Sequence, residues 1–132
     1  MPILNVKVSG TRSPELSQRI AGMLLGLTSR ILGKSSAVTS IAIDYVHPED
    51  WIVGGRPLAA QGKRSFWFDI RITDETNTKA EKARFIASVF ASFEQLFGPL
   101  HEESYIHVHD ARAASYGYGG RTQEWRYQRQ QA

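Results

Sequence analysis

The strongest candidate for a catalytic residue in this sequence is the proline at position 2, directly after the initiator methionine. A small second residue such as proline normally permits removal of Met1, and Pro2 then carries a free secondary amine. An ordinary α-amino group has a pKa of about 8, and burial in an apolar pocket lowers that pKa because it penalises the protonated form. We therefore expect Pro2 to give and take protons near neutral pH. The alternative is that Pro2 only opens a strand, where its missing N–H costs nothing.

Other reactive groups are scarce. The chain has no cysteine, which excludes disulfides, thiolate zinc sites and cysteine nucleophiles. His47 and His109 stand at the ends of corresponding strands, but no third ligand stands at a fitting spacing. The sequence therefore predicts no metal site.

Composition indicates a single globular domain of 132 residues with a net charge of +3. The basic residues are spread along the chain except for Arg121, Arg126 and Arg129 near its end, which suits small anionic metabolites. No apolar run approaches the length of a membrane span, and the N-terminus lacks the apolar core of a signal peptide. We expect a cytoplasmic protein that binds neither membranes nor nucleic acid.

The first half of the chain predicts a strand, a helix and a second strand. Residues 3–8 and 39–46 alternate between apolar and polar side chains, as strands with one buried side do. Ser13 and Pro14 supply an N-cap and a proline at the first helical position, and Gly33 ends the helix. Apolar residues at three- and four-residue steps predict one buried helix face: Leu16, Ile20, Met23, Leu24, Leu27 and Ile31.

The second half repeats this order. The strongest strand pattern spans residues 65–73, and a last main strand spans 105–109. Between them, Thr78 and Glu81 form a capping box, and Gly98 ends the helix that follows. A second apolar stripe lies along this helix: Ile86, Val89, Phe90, Phe93, Leu96 and Phe97.

These elements predict an α+β fold in which two β-α-β repeats share one four-stranded mixed sheet with both helices on one face. A helix between two strands makes each pair parallel. We expect one domain over residues 1–132, with repeat one at about 2–62, repeat two at about 63–120 and a polar tail at 121–132.

The sheet face without helices should carry aromatic residues from the third main strand. Alternation assigns either Phe66 and Phe68 or Trp67 to that face, without deciding between them. In a monomer, part of this apolar surface would contact water, so the sequence predicts self-association.

Several segments resemble the tautomerase superfamily, whose members share an amino-terminal proline and a β-α-β architecture assembled as trimers or hexamers. The opening residues 1–12 and the segment 51–55 resemble 4-oxalocrotonate tautomerase. Residues 105–118 resemble the closing strand of the macrophage migration inhibitory factor group. Gly33 and Lys34 fall where the superfamily has its active-site lysine.

The resemblance implies an isomerase that interconverts keto and enol groups without a cofactor or metal, acting as a homotrimer on a small 2-keto or 2-hydroxy-enol carboxylate. By match to the superfamily, Pro2 is the catalytic acid and base, and Tyr105 comes from a neighbouring subunit. The match also implies the substrate-binding residues Arg12, Lys34, Ile72, Tyr105 and His107. His107 stands where the cytokine group has an amide side chain, a difference that bears on substrate choice.

The carboxylate-binding residues depart from the resemblance at one position. Arg12 matches an arginine that binds substrate carboxylate in the 4-oxalocrotonate group, whereas a second arginine of that group would fall at Ser40. We therefore expect a monocarboxylate with an apolar or aromatic body. Four residues are candidates for an apolar wall: Trp51, Tyr105, Tyr116 and Tyr118.

Two alternatives remain open. One is a tautomerase-like protein without catalytic activity. The other is an RNA-binding ferredoxin-like module, because residues 63–68 place basic and aromatic residues on the third main strand. Against it, Phe66 and Phe68 share one face while Trp67 lies on the other, and the glycine of the RNA-recognition signature is missing.

Overall fold

The structure is a computed structural model that describes residues 2–131, with side chains as far as residue 129. Two β-α-β units follow one another, and each ends in a short hairpin. The first unit comprises β1 (Ile3–Ser9), α1 (Pro14–Leu32), β2 (Ser40–Val46), β3 (Ile52–Val53) and β4 (Arg56–Pro57). The second comprises β5 (Phe66–Thr73), α2 (Lys79–Phe97), β6 (Tyr105–Ala111), β7 (Gly117–Tyr118) and β8 (Arg121–Thr122), and helix α3 (Gln123–Gln131) follows.

Both long helices begin and end at the residues that the sequence predicts. The Ser13 side chain accepts a hydrogen bond from the backbone N–H of Leu16, and Gly33 caps the other end of α1 with a left-handed φ of 69°. Thr78 and Glu81 form the reciprocal capping box of α2. These local signals explain why α1 and α2 have the same length of 19 residues.

The main sheet has the strand order β2-β1-β5-β6. The pairs β1–β2 and β5–β6 are parallel, and the two central strands β1 and β5 are antiparallel. This confirms the predicted four-stranded mixed sheet. Each unit contributes one central and one edge strand, so the two units form a single hydrophobic core.

The core lies between the sheet and the two helices. The β1 side chains Leu4, Val6 and Val8 are buried on this side. On β5, Phe66 stacks on Phe93 of α2 with ring centroids 4.1 Å apart. Phe68, Ile70 and Ile72 share that face and are also fully buried. The structure therefore assigns Trp67, and not Phe66 or Phe68, to the face without helices.

That helix-free face is more polar than the sequence analysis expected. Strand register places Trp67, Asp69 and Arg71 of β5 beside Tyr105, His107 and His109 of β6. The strongly apolar aromatic residues that suggested self-association lie instead in the core. Only Trp67 and Tyr105 contribute large aromatic rings to this part of the face. The apolar surface of the face is therefore smaller in the structure than the sequence predicted.

Helix α3 forms in the segment that the sequence analysis described only as a polar tail. The Thr122 hydroxyl caps its start by accepting a hydrogen bond from the backbone N–H of Trp125 at 3.0 Å. The guanidinium groups of Arg121 and Arg129 each lie 4.8 Å from the centre of the Trp125 ring. None of the helices in the described part of the chain has the length and apolar character that crossing a membrane requires.

Candidate active site

The antiparallel centre of the sheet gives the molecule two chemically different ends. At the first, which we call the Pro2 end, the start of β1 meets the end of β5, since Ile3 pairs with Arg71. At the other, which we call the Tyr105 end, the start of β6 lies beside Trp67, which pairs with Lys7 near the end of β1. A strand of the length of β1 separates these ends by roughly 20 Å.

A cavity of about 420 Å³ lies at the Pro2 end. Pro2 is buried there. The lining residues come from the start of β1, the start of β2 with the segment before it, and the β7 region: Pro2, Ile3, Val38, Ser40, Tyr116, Gly117 and Tyr118. All seven are uncharged. The volume is in the range of sites for small ligands.

Backbone and side-chain hydrogen bonds hold the cavity walls in place. The Pro2 carbonyl accepts a hydrogen bond from the backbone N–H of Ser40, which joins the starts of β1 and β2. The Tyr116 hydroxyl forms a hydrogen bond with the Thr73 side chain at the end of β5. The hairpin β7–β8 is thus attached to the main sheet and brings Tyr118 to the cavity.

Lys34 also lies at the Pro2 end, just after α1, but it is not one of the residues that line the cavity. Its Nζ donates a hydrogen bond to the Thr76 hydroxyl at 2.8 Å. Burial lowers the pKa of the Lys34 ammonium, while Glu81 and Asp110 oppose that change by stabilising its charge. Lys34 is therefore a half-buried cation, ordered by the loop between β5 and α2.

A second, more polar groove of about 390 Å³ lies at the Tyr105 end. Its described lining combines aromatic and charged side chains: Lys7, Val46, Asp50, Trp51, Ile52, Trp67 and Tyr105. The Tyr105 side chain is 51% exposed, and its hydroxyl donates a hydrogen bond to Glu103. That hydrogen bond and the negative charge of Glu103 raise the pKa of the Tyr105 phenol.

The structure separates the predicted site residues. Pro2 and Lys34 lie at the Pro2 end, whereas Arg12 lies in the turn between β1 and α1, at the other end of β1. Tyr105 also lies at that other end, and His107 lies midway along β6, paired with Asp69. One chain therefore does not bring Arg12 or Tyr105 to the Pro2 cavity.

The prediction for Ile72 requires a correction. Ile72 was expected to line the mouth of the pocket, but it is fully buried in the core and does not line the cavity. Alternation along β5 explains this, because Ile72 shares the face of Phe66, Phe68 and Ile70 that the helices cover.

The four candidates for an apolar wall divide between the two ends. Tyr116 and Tyr118 line the Pro2 cavity, whereas Trp51 and Tyr105 line the other groove. Val38 of the Pro2 cavity was not considered in the sequence analysis. Its position just before β2, the strand that starts beside Pro2, is the signal that identifies it.

The geometry gives little support to a metal site or to an RNA-binding surface. Within residues 2–131, no three histidine, aspartate or glutamate side chains gather as a metal site would need. Phe66 and Phe68 are fully buried under the helices, so Trp67 is the one aromatic residue of the 63–68 segment that the helix-free face offers for base stacking.

No family model matches the sequence. A probable tautomerase from Xylella fastidiosa (strain 9a5c) is 33% identical over 66 residues, which cover 48% of this chain and 80% of that relative. About half of this chain therefore accounts for most of the relative, as expected where a chain contains the same unit twice.

Solved structures share the fold over nearly the whole chain. A fused 4-OT wild-type symmetric trimer aligns with a TM-score of 0.78 at 16% identity, over 92% of this chain and 96% of that one. Pt0534 inactivated by 2-oxo-3-pentynoate gives 0.80 at 14% identity, over 94% and 98%. A macrophage migration inhibitory factor-like protein from Entamoeba histolytica gives 0.74 at 17% identity, over 92% and 97%.

Proposed function

Because the chain belongs to the tautomerase superfamily, we propose that it is a cofactor-independent keto–enol tautomerase whose base is the amine of Pro2. The observation that carries this proposal is the burial of Pro2 in a cavity whose described lining is uncharged. Once Met1 is removed, such surroundings penalise the protonated amine, so we expect its pKa to lie below the value of about 8 that α-amino groups ordinarily have.

The reaction needs one proton to move between carbon and oxygen. The neutral Pro2 nitrogen takes a proton from the carbon next to the substrate carbonyl, and the C–H electrons form the carbon–carbon double bond of an enolate. The new N–H then returns the proton to the enolate oxygen, which gives the enol. A base with a pKa near the working pH contributes about 10²–10⁴-fold to the rate of such a transfer.

Hydroxyl groups of the cavity can stabilise the developing enolate. Ser40 and Tyr118 both line the cavity and carry hydroxyl donors, whereas the hydroxyl of Tyr116 is engaged with Thr73. Donors fixed near a developing oxyanion lower the barrier because they need no reorganisation during the reaction. The aromatic rings favour a substrate with an apolar or aromatic body, such as the enol of an aryl 2-oxo acid.

The substrate carboxylate needs a cation, and the described lining of the cavity contains none. Lys34 is a candidate from the same chain, because it lies at the Pro2 end of the sheet. We propose that Arg12, Tyr105 and His107 of a neighbouring copy complete the site in a homotrimer. Trimeric assembly of a fused 4-OT with the same fold supports self-association as a trimer.

The proposal is tested with the purified full-length protein and phenylenolpyruvate, whose ketonisation is followed by ultraviolet absorbance. We expect intact-mass measurement to find Met1 removed, and Pro2→Ala to reduce kcat/KM by about 10²-fold or more, because the secondary amine is lost. A retained Met1 would block the amine, and a Pro2→Ala variant with wild-type activity would also contradict the mechanism.

A chemical probe tests the amine without knowledge of the natural substrate. The inhibitor 2-oxo-3-pentynoate, which inactivates Pt0534, is a conjugated ynone and therefore an electrophile. Addition of the Pro2 nitrogen to the alkyne forms a C–N bond, and the amine proton moves to the neighbouring carbon, so the chain gains one whole inhibitor molecule. We expect this mass on the N-terminal peptide. Labelling confined to other peptides would count against a reactive Pro2.

Assembly is tested separately by sedimentation equilibrium. We expect a trimer at assay concentrations, since Arg12 and Tyr105, which we propose complete the site, lie at the end of the sheet opposite Pro2. A fully active monomer would contradict the proposed shared site.

A further inference from the structure

We propose that Arg126 of α3 is a positioning residue that fixes Tyr118 as a wall of the Pro2 cavity, and that it thereby sets the size of substrate the cavity accepts. This inference rests on the proposed tautomerase function for its substrate class. Its geometric part, the hold of Arg126 on Tyr118, stands independently of the reaction.

Arg126 contacts Tyr118 in two ways at once. Its guanidinium lies 3.8 Å from the centre of the Tyr118 ring, and one of its terminal nitrogens donates a hydrogen bond to the Tyr118 carbonyl at 2.9 Å. The planar guanidinium can stack on a ring and donate in its own plane, a combination that an ammonium cannot provide. Ring and backbone of Tyr118 are therefore held by one side chain.

The hairpin turn contains a glycine, Gly119, that lies close to the Arg126 guanidinium. Gly119 follows Tyr118 with a left-handed φ of 61°, and a Cβ atom at this position would lie only 2.9 Å from a terminal nitrogen of Arg126. Glycine therefore permits both the turn conformation and the close approach of the guanidinium. The Nε of Arg126 is buried as well, while the residue as a whole is half-buried.

The hairpin has few other means to hold Tyr118. Strands β7 and β8 have two residues each and pair only with one another, and an isolated two-stranded hairpin is marginally stable. Tyr116 attaches the start of β7 to Thr73 of the main sheet. Arg121 and Thr122 of β8 also contact Trp125 of α3, but Arg126 is the α3 residue that contacts Tyr118 itself.

Tyr118 lies on the cavity that contains Pro2. A fixed ring at this position gives the cavity a defined width, whereas a mobile ring would let bulkier substrates enter and would hold an aryl group less tightly. Arg126 thus acts through Tyr118. We expect its loss to lower kcat for different substrates alike, through the Tyr118 hydroxyl, and to change substrate choice through KM.

The chain supplies a matched control in Arg129. It lies on the same helix and its guanidinium also stacks on an aromatic ring, that of Trp125 at 4.8 Å. Arg126→Met and Arg129→Met each remove one positive charge from α3. Only Arg126→Met removes a contact with Tyr118 in the cavity wall. A difference between the two variants in hydrogen exchange or in kinetics therefore measures the effect of losing that contact.

Hydrogen exchange measured by mass spectrometry tests the geometric part. For peptides spanning residues 116–122, we expect exchange in Arg126→Met to accelerate by about tenfold, because the hairpin opens locally more often. We expect Arg129→Met to remain within about twofold of wild type, and Arg126→Lys to recover only part of the protection. Equal exchange in wild type and Arg126→Met would overturn the proposal.

Kinetics of the same variants test the consequence for substrate choice. We compare kcat/KM for phenylenolpyruvate with that for a 2-hydroxydienoate that lacks a ring. We expect Arg126→Met to lower this ratio by about fivefold or more, mainly through KM, and Arg129→Met to leave it unchanged. Faster exchange with an unchanged ratio would overturn the role in specificity. If the wild-type protein acts on neither substrate, the proposed function fails, while the exchange result still decides whether Arg126 holds Tyr118.

Discussion

The two ends of the sheet differ in a way that accounts for the proposed chemistry. The Pro2 end has a cavity lined by uncharged side chains, which suits an amine that must be neutral to act as a base. The Tyr105 end has an open groove with charged and aromatic side chains, and Arg12 lies at the same end of β1. Pro2 and Arg12 therefore lie at opposite ends of β1 within one chain. We infer that a complete site needs both ends, contributed by two copies.

The largest expected effect comes from mixing two variants that each damage one end. Pro2→Ala removes the proposed base, and Arg12→Ala removes the charged hydrogen bond that we propose for the carboxylate, so both should have little activity alone. In random trimers formed from equal amounts, about one junction in four would pair an intact Pro2 with an intact Arg12. We therefore expect refolded mixtures to regain about a quarter of wild-type activity.

This mixing experiment has a simple control, in which the two variants are combined without refolding, so that subunits do not exchange. An activity of the refolded mixture equal to the average of the two variants would mean that each site lies within one chain. The contrast between the two ends would then have no functional meaning.

A smaller effect is expected at Lys34, a half-buried cation of the Pro2 end. Lys34→Met should raise KM for a carboxylate substrate by about tenfold, because a charged hydrogen bond is lost, with little change in kcat. The matched control is Lys82→Met, since the Lys82 ammonium pairs with Asp110 at 2.7 Å and does not line the cavity. An equal rise of KM in both variants would indicate a general loss of positive charge.

The pH dependence of KM should also depend on Lys34. Burial lowers the pKa of Lys34, so its ammonium loses its proton at a lower pH than an ordinary lysine does. Attraction for the carboxylate is present below that pKa and is lost as the pH rises through it. We expect KM of the wild type to rise on the alkaline side, and Lys34→Met to lack this rise.

The smallest effect concerns Tyr105 at the opposite end. The hydrogen bond to Glu103 and the charge of that carboxylate raise the pKa of the Tyr105 phenol. Glu103→Gln should therefore lower this pKa toward the usual value for tyrosine, as measured by the ultraviolet absorbance of the phenolate. The titration of Tyr105→Phe identifies which part of the signal belongs to this residue. If the titration curve of the Tyr105 phenol is unchanged in Glu103→Gln, Glu103 does not raise the pKa of Tyr105.

Local signals in the sequence were sufficient for the two long helices and the main strands. Ser13, Gly33 and the pair Thr78 and Glu81 define helix ends because their side chains or backbone conformations satisfy groups within the helix itself. Such contacts depend on neighbours a few residues away. They are therefore visible without knowledge of the tertiary structure.

The two faces of β5 show what local sequence signals do not determine. Alternation separates Trp67 from Phe66 and Ile72, but it does not say which side the helices cover. The packing of Phe66 on Phe93 decides the question, and it buries Ile72 as a consequence. Ile72 was misassigned because its role was carried over from a resemblance, without a test of which face it shares.

Helix α3 was missed because it has no apolar stripe. Its contacts are made by arginines on aromatic rings, which hydropathy does not register. The spacing of Arg121, Trp125 and Arg129 at intervals of four residues was the available signal, together with Thr122 as an N-cap. The partner of Arg126 lies across a turn, so its contact with Tyr118 required the structure.

The central claim, a neutral amine at Pro2 in an apolar cavity, is tested most directly by nuclear magnetic resonance of protein labelled with ¹⁵N-proline. We predict that one proline nitrogen titrates as a secondary amine, with a midpoint below the pH of about 8 that is usual for α-amino groups, and that this signal is absent in Pro2→Ala. A spectrum in which no proline nitrogen titrates, or in which the midpoint lies at or above that value, would contradict the account.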